Sequence, residues 1–375
     1  MDRGKRSDKL VQSSNGKIYM DLKDILREHA LVFLPAKSLF RFKGVCRDWK
    51  LQISTPFFAH NQSNTFHDFS GFFCQSLSGP LFFIPVDPNA HGVPDQSLSF
   101  LPEPVDIRTS CNGLLCCQSR NGDKVYYICN PVTKQWKTLP KHNADHGCDP
   151  AVVLAFEPSL LNFVAEYKLL CAFQSPDFDD AYEFEIYSSA EGSWRISGEI
   201  HFGNQFRKLI PTSGISVNGI VYWQTTQSHL FAFDLAIERS QILYGETGTL
   251  GVMDGKLCVT SIQNGVLVVK MLSNAHTNTM EMSSQVKTWK GMQRINLPKS
   301  VLEDASSSFD SRQVASARGN IIKRLVSASG NVVVFRNGNK LQFCDLKSKE
   351  IGQLSQKVNN SDLRMISYVN SLVEI

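Results

Sequence analysis

Ser110-Cys111-Asn112-Gly113-Leu114-Leu115-Cys116 sets an Asn-Gly pair in front of an apolar run. After Lys124–Cys129 the chain turns again through Asn130-Pro131-Val132-Thr133-Lys134-Gln135-Trp136. Asn-Gly between apolar segments is a strong hairpin signal, because a two-residue turn that matches strand twist needs positive φ at both positions. The runs themselves are short and rich in Val, Ile, Tyr, Phe and Leu, a composition that fits a pleated strand better than a helix. Working outward, the same texture fills the chain after Pro56. Strands are expected at Gly113–Cys117, Lys124–Cys129, Val152–Phe156, Tyr167–Phe173, Phe184–Tyr187, Ile215–Trp223, Leu230–Asp234, Lys256–Thr260, Val266–Met271, Val332–Arg336 and Lys340–Asp345. Helix-period segments are scarce among them.

Two elements recur. Asn112-Gly113-Leu114-Leu115-Cys116 returns as Asn218-Gly219-Ile220-Val221-Tyr222-Trp223, with Asp254-Gly255-Lys256-Leu257-Cys258 as a relative, and reads as a turn opening the next strand. The stretch Asn130–Trp136, in which a strand ends in a turn-prone segment, has counterparts in Tyr187–Trp194, Phe233–Glu238 and Cys344–Glu350. Units of about 45 to 58 residues follow, near the spacing of four-stranded propeller blades. The expected fold is therefore mostly β, a propeller of five to seven blades, with a β-sandwich as the simpler alternative.

Toward the N-terminus the pattern changes. Residues 1–18 are polar and charged and are expected as a disordered leader. From Asp21, the residues Leu22, Ile25, Leu26, His29, Ala30 and Phe33 recur at three- and four-residue spacing and predict an apolar stripe on a helix that Pro35 ends. Leu39, Phe42 and Val45 line a second helix, Gly44 marks a break, and Trp49 and Ile53 continue into a third. A unit of this size cannot bury enough surface to stand alone, so its apolar side calls for a partner.

Charge narrows the functions further. Residues 1–60 hold twelve Lys and Arg against six Asp and Glu, which leaves 27 against 29 in the remainder of a chain of net charge +4. A near-neutral β body argues against nucleic acid as its ligand, because phosphate binding needs a clustered basic surface. No apolar run reaches the roughly 18 to 20 residues of a membrane span, and the charged N-terminus lacks an apolar signal core. Of the ten cysteines, Cys116, Cys117, Cys171, Cys258 and Cys344 lie inside apolar runs, the habitat of reduced, buried thiols. A soluble protein of the cytoplasm and/or nucleus is expected.

Candidate chemistry is sparse. His142, His146 and Cys148, with Cys111, Cys116 and Cys117 upstream, have the residue types of a zinc site. Alternation along the strand puts Cys116 and Cys117 on opposite faces, however, and the histidine stretch reads as a polar link between strands. Asp177, Asp179 and Asp180 lack the glycine-centred register of a calcium loop and read as a solvated turn. Gly245, Gly248 and Gly251 are not spaced as a dinucleotide fingerprint and also read as a turn. Trp136, Trp194 and Trp223 are expected to pack between blades. The long polar stretches His142–Asp149, Gln174–Tyr182 and Asn274–Gln285 are the candidates for recognition.

Leu34-Pro35-Ala36-Lys37-Ser38-Leu39-Phe40-Arg41-Phe42-Lys43-Gly44-Val45-Cys46-Arg47-Asp48-Trp49, followed by Ile53-Ser54-Thr55-Pro56-Phe57-Phe58, closely resembles an F-box of the plant type. The region holding Ser110–Cys116, Asn130–Trp136 and Val217–Trp223 is similar to the kelch-like, F-box-associated domain of the same plant family. The resemblance divides the chain into a leader (1–18), an F-box (19–60), a connecting segment with the first strands (61–100) and a β-propeller-like domain (101–375). It implies a non-catalytic subunit with no cofactor and no metal. Its F-box docks a Skp-type adaptor and, through it, a cullin and a RING protein, while the β domain holds a substrate protein for ubiquitination. The implied adaptor-binding residues are Leu22, Ile25, Leu26, Leu34, Pro35, Leu39, Phe42, Val45, Cys46 and Trp49. The chain departs from the family pattern at Leu22-Lys23, where Leu-Pro is usual, and at His29 and Ala30, where an acidic residue and Ile are usual. Two other functions fit the same features: a scaffold that binds the adaptor without ligase output, and an enzyme built on the propeller.

Overall fold

The computed structural model describes residues 25–76, 79–147, 149–157, 163–203, 208–243, 245–273, 288–298, 325–337, 340–357 and 364–375. Three short helices, α1 (Ala36–Phe42), α2 (Arg47–Ile53) and α3 (Pro56–Thr65), follow a π-helical turn at Leu26–Ala30 and a 3-10 turn at Leu31–Phe33. Pro35 stands just before α1, in extended backbone. Strands follow to the end. β1 (Gly71–Gln75) and β2 (Phe82–Pro85) come first. The next three sheets run from centre to rim in chain order. Blade one holds β3 (Val105–Cys111), β4 (Leu114–Ser119), β5 (Tyr126–Asn130) and β6 (Gln135–Thr138). Blade two holds β7 (Ala151–Phe156), β8 (Tyr167–Gln174), β9 (Ala181–Ser188) and β10 (Ser193–Phe202), and blade three β11 (Ile215–Val217), β12 (Ile220–Gln224), β13 (Leu230–Asp234) and β14 (Arg239–Leu243). Blade four holds β15 (Thr249–Met253), β16 (Lys256–Gln263), β17 (Val266–Leu272) and β18 (Trp289–Asn296), and blade five β19 (Leu325–Ser329), β20 (Val332–Asn337), β21 (Lys340–Asp345) and β22 (Ile351–Lys357). The last strand, β23 (Arg364–Tyr368), pairs antiparallel with β1, Gly71 opposite Tyr368 and Phe73 opposite Ile366.

The inner strands β3, β7, β11, β15, β19 and β23 neighbour one another in a closed circle, so the molecule is a six-bladed β-propeller. Its sixth blade is composite, with β23 from the C-terminal side inside and β1 and β2 from the N-terminal side outside. Blades four and five are further joined by parallel pairing of Gly251 with Ala328.

Each blade buries both faces against its neighbours, which is why the middle strands read as unbroken apolar runs. Leu114, Cys116 and Ile128 of blade one pack on Leu154, Leu169 and Tyr187 of blade two. Phe184 and Ile186 then pack on Trp223 and Phe233 of blade three, and Val334 and Leu341 of blade five on Phe72 and Ile84 of blade six. Cys117 belongs to the opposite core from Cys116, as strand alternation requires. The nine described cysteines are all free thiols.

Both recurring sequence elements have fixed places. Asn112-Gly113, Asn218-Gly219 and Asp254-Gly255 join the innermost to the second strand of blades one, three and four, with positive φ at both residues of each turn. Gly113 has a second reason to be glycine, since a Cβ there would lie 2.2 Å from Cβ of Ser371. The elements at Pro131–Lys134, Ser189–Gly192, Leu235–Glu238 and Leu346–Glu350 join the third strand to the rim strand of blades one, two, three and five.

The structure corrects four details. Ile215–Trp223 is two strands folded at Asn218-Gly219, because the turn chemistry overrides the apolar run. Trp136 does not pack between blades but lies on the rim strand β6, half exposed against Tyr127, whereas Trp194 and Trp223 are buried. Gly251 stands inside β15, beyond a turn. Finally, α3 occupies residues that carry no helix-period signal, since its inward positions include Gln62 and Ser63 and no apolar stripe forms. No described helix is long and apolar enough to cross a membrane.

Candidate partner-docking surface

The helices have two unlike sides. Inward, Leu31, Ala36, Leu39, Ile53, Phe58 and Ala59 join one core with Phe73, Val105, Ile107, Leu115, Val132, Tyr368 and Leu372 of the propeller. Gln62 of α3 fastens this seam. Its Nε2 donates to the Leu34 carbonyl at 3.3 Å and its Oε1 accepts from the Leu372 amide at 3.1 Å. Lys37 Nζ donates to the Pro88 carbonyl. Outward, Ile25, Leu26 (41% exposed), Phe33 (62%), Phe40, Val45 (61%), Leu51 and Phe57 stay open to solvent. Seven large apolar side chains thus stand exposed within residues 25–57, more than the single scattered hydrophobics of an ordinary surface.

The sequence-chosen residues divide accordingly. Leu22 lies outside the described residues. Ile25, Leu26, Val45 and Cys46 are exposed, and Leu34, Pro35, Phe42 and Trp49 are half-buried. Leu39 is fully buried (0% exposed) beneath the helices, where it holds them to the propeller and offers a partner nothing. Phe42 and Trp49 meet edge to face at 5.3 Å and connect α1 to α2. Cys46 caps α2, its Sγ accepting from the Trp49 amide at 3.4 Å. Leu51 and Phe57 are absent from the sequence-chosen set, and Phe33, though on the predicted apolar stripe, is not among its adaptor-binding residues, because a helix repeat identifies an apolar side without saying which half the β domain covers.

In a four-stranded antiparallel blade the rim strand returns to the face where the inner strand began, so links between blades collect on that face. The helices sit on the other one, with Phe57 and His60 against Phe163 of the β7–β8 link. The link face carries the β6–β7 connection, from Leu139 to Pro150, and the exposed turn Asp177–Asp180. Exposed Phe178 meets Phe202 (66% exposed) at 5.2 Å beside Asp177, Asp179 and Asp180. Near the axis Arg108 donates to Asp149 at 2.9 Å and Arg364 to the Arg108 carbonyl at 2.8 Å. Burial of Arg364 pulls its guanidinium below the usual range. Asp106 accepts from Gln75 and Arg120, both at 2.7 Å.

The histidine stretch is the polar link between strands that the sequence suggests, with Asn143, Asp145, Gly147 and Asp149 exposed. Within it His146 turns inward and is buried against Glu185 of β9, a residue nothing in the sequence marks. Cys148 lies outside the described residues.

Beneath the helices, His91 gives the seam a pH dependence. Its imidazole lies near Phe66, and burial lowers its pKa against the opposite pull of Asp87 and Asp68, with Lys37 adding to the lowering. The unfolded chain therefore takes up this proton first as pH falls. Stability is constant above about 6.5, the unfolded value, and is lost as pH drops from there toward the folded pKa. Melting curves from pH 7.5 to 5 should show this decline, and His91→Gln should make it shallower. Equal slopes in both proteins would remove His91 from the account.

Comparison with known proteins agrees with this architecture. A family model described as the F-box associated beta propeller domain matches residues 94–375. Among curated relatives from Arabidopsis thaliana, F-box protein At5g49610 is 29% identical over 283 residues, 71% of this chain and 77% of that one. F-box protein At5g07610 is 36% identical over 203 residues, 49% of this chain and 46% of its own length. Putative F-box/kelch-repeat protein At3g17570 is 25% identical over 289 residues, 72% of each chain.

Proposed function

The chain belongs to the F-box-associated β-propeller family, and from that premise we propose that it is the substrate-recognition subunit of a Skp-cullin-F-box ubiquitin ligase. One observation carries the proposal: the helices ahead of the propeller keep a large apolar side uncovered after their inner side has been sealed. A Skp-type adaptor covers that side, and the adaptor's cullin and RING partners bring a ubiquitin-charged conjugating enzyme. The link face, with the Phe178–Phe202 pair and its acidic neighbours, points away from the helices and receives the protein target. Catalysis then belongs to the conjugating enzyme. The receptor contributes proximity, raising the target lysine's local concentration to the roughly millimolar level of a short tether.

Affinity capture of the full chain tests the whole scheme. A Skp-type adaptor and a cullin should co-purify with it, and target proteins should accumulate on it when cullin activity is inhibited. The target fraction should fall several-fold in Phe202→Ser without loss of adaptor. Capture of adaptor without cullin would favour a scaffold without ligase output, and capture of neither would overturn the proposal.

A further inference from the structure

We propose that His142, His146 and Glu185 form a zinc-type divalent-cation site that fastens the link between blades one and two. The donor atoms of the three side chains lie within 4.8 Å of one another. Glu185 rises from β9 with its carboxylate fully buried. Its Oε1 accepts from the backbone amide and the side-chain amide of Asn143, both at 2.8 Å. Its Oε2 accepts from the Ala144 amide at 3.1 Å and faces His146 Nε2 at 2.8 Å. The carboxylate is thus held rigid by these bonds.

Both imidazoles present the same edge to it. His142 Nδ1 lies 2.5 Å from the Ala144 carbonyl, which can only accept, so that nitrogen carries the proton and Nε2 is a bare lone pair. That Nε2 is buried and has no hydrogen-bond partner among the described residues. His146 Nδ1 lies 3.1 Å from the Tyr126 hydroxyl. Histidine ligands of metals characteristically hold one ring nitrogen by such an outer bond and turn the other to the ion. A cation here replaces the proton between His146 and Glu185, which moves to Nδ1 and donates to Tyr126. It also supplies the partner His142 Nε2 lacks.

Two imidazoles and one carboxylate suit zinc, whereas magnesium and calcium take all-oxygen sets. Zinc ligands at about 2.0–2.2 Å leave donor atoms roughly 3.3 Å apart, so the cluster must contract. His142 is the mobile member. It is only partly buried, and its ring, stacked on that of His146 at 4.2 Å and 15°, must turn out of the stack to aim its lone pair. Water takes the fourth position.

The test uses the full chain, stripped with a chelator and titrated with zinc chloride, then with cobalt chloride as a spectroscopic probe. Wild type should bind one equivalent of zinc with Kd below about 1 μM, unaffected by millimolar magnesium. Cobalt should give the intense visible absorption of a tetrahedral site. His142→Ala should weaken zinc about 100-fold or more, as loss of a ligand exceeds the cost of losing an outer partner, while its metal-free melting curve matches wild type. His142→Cys, which restores a donor, should recover binding. No zinc uptake by wild type, or equal affinity in His142→Ala, would overturn the proposal.

Discussion

Val45→Asp and Leu26→Asp are each expected to weaken capture of a Skp-type adaptor by at least ~30-fold while leaving the chain's melting curve in place. Both side chains reach solvent in the free chain, so a charge there costs the folded state little. In a complex each would place an unpaired carboxylate in a desolvated apolar contact. Anchors of this kind are worth about 2 kcal/mol or more on truncation alone, which corresponds to the stated factor. Leu39→Asp must behave in the opposite way. It buries a charge between the helices and the propeller, so the melting curve itself should collapse and adaptor binding be lost with it. A pull-down beside thermal melting separates the two. Undiminished binding by both exposed variants would mean that the adaptor grips elsewhere or not at all.

Tyr368→Ala is expected to destabilise the propeller by about 4 kcal/mol, near the top of what one core substitution does. The ring is fully buried, with Phe73 at 5.3 Å and Phe83 at 6.0 Å, and its hydroxyl donates to the Gly113 carbonyl at 3.1 Å. It thereby ties β23 to its own blade and to the first turn of blade one. Asn130 completes the tie. Its Nδ2 donates to the carbonyls of Ser371 and Val373 while its Oδ1 accepts from the Val132 amide. Tyr368→Phe, which removes only the hydroxyl, should cost about 1 kcal/mol. Urea unfolding of the three proteins decides, and a loss below 1 kcal/mol in Tyr368→Ala would mean that closure does not depend on this strand.

What could be read from the sequence follows from where each strand sits. Second and third strands bury both faces, so Leu114–Ser119 and Tyr126–Asn130 stand out as apolar runs. Rim strands such as Gln135–Thr138 are exposed throughout and carry no hydrophobic pattern. The inner strand Val105–Cys111 alternates between buried apolar residues and half-buried Asp106 and Arg108, and was equally silent. The turns were legible because Asn-Gly and Asp-Gly encode backbone geometry locally. β1 and β2 fall within 61–100, where first strands are expected, but their blade is not legible because β1 takes its inner neighbour, β23, from a segment about 290 residues further on. The docking surface was half legible: spacing placed Leu26 and Val45 on an apolar side, but only the fold shows that Leu39 beside them is claimed by the propeller. Glu185 could not be paired with His146, since nothing local marks an acid inside an apolar strand.

Closure of blade six also bears on how the protein is made. β1 and β2 are synthesised before blades one to five and β23 after them, so the ring stays open until β23 has been made. The floor beneath the helices, Leu372 with its bond to Gln62, emerges later still. A chain that stops short of Leu372 lacks both that bond and the buried leucine, and with them part of the support on which its helices rest.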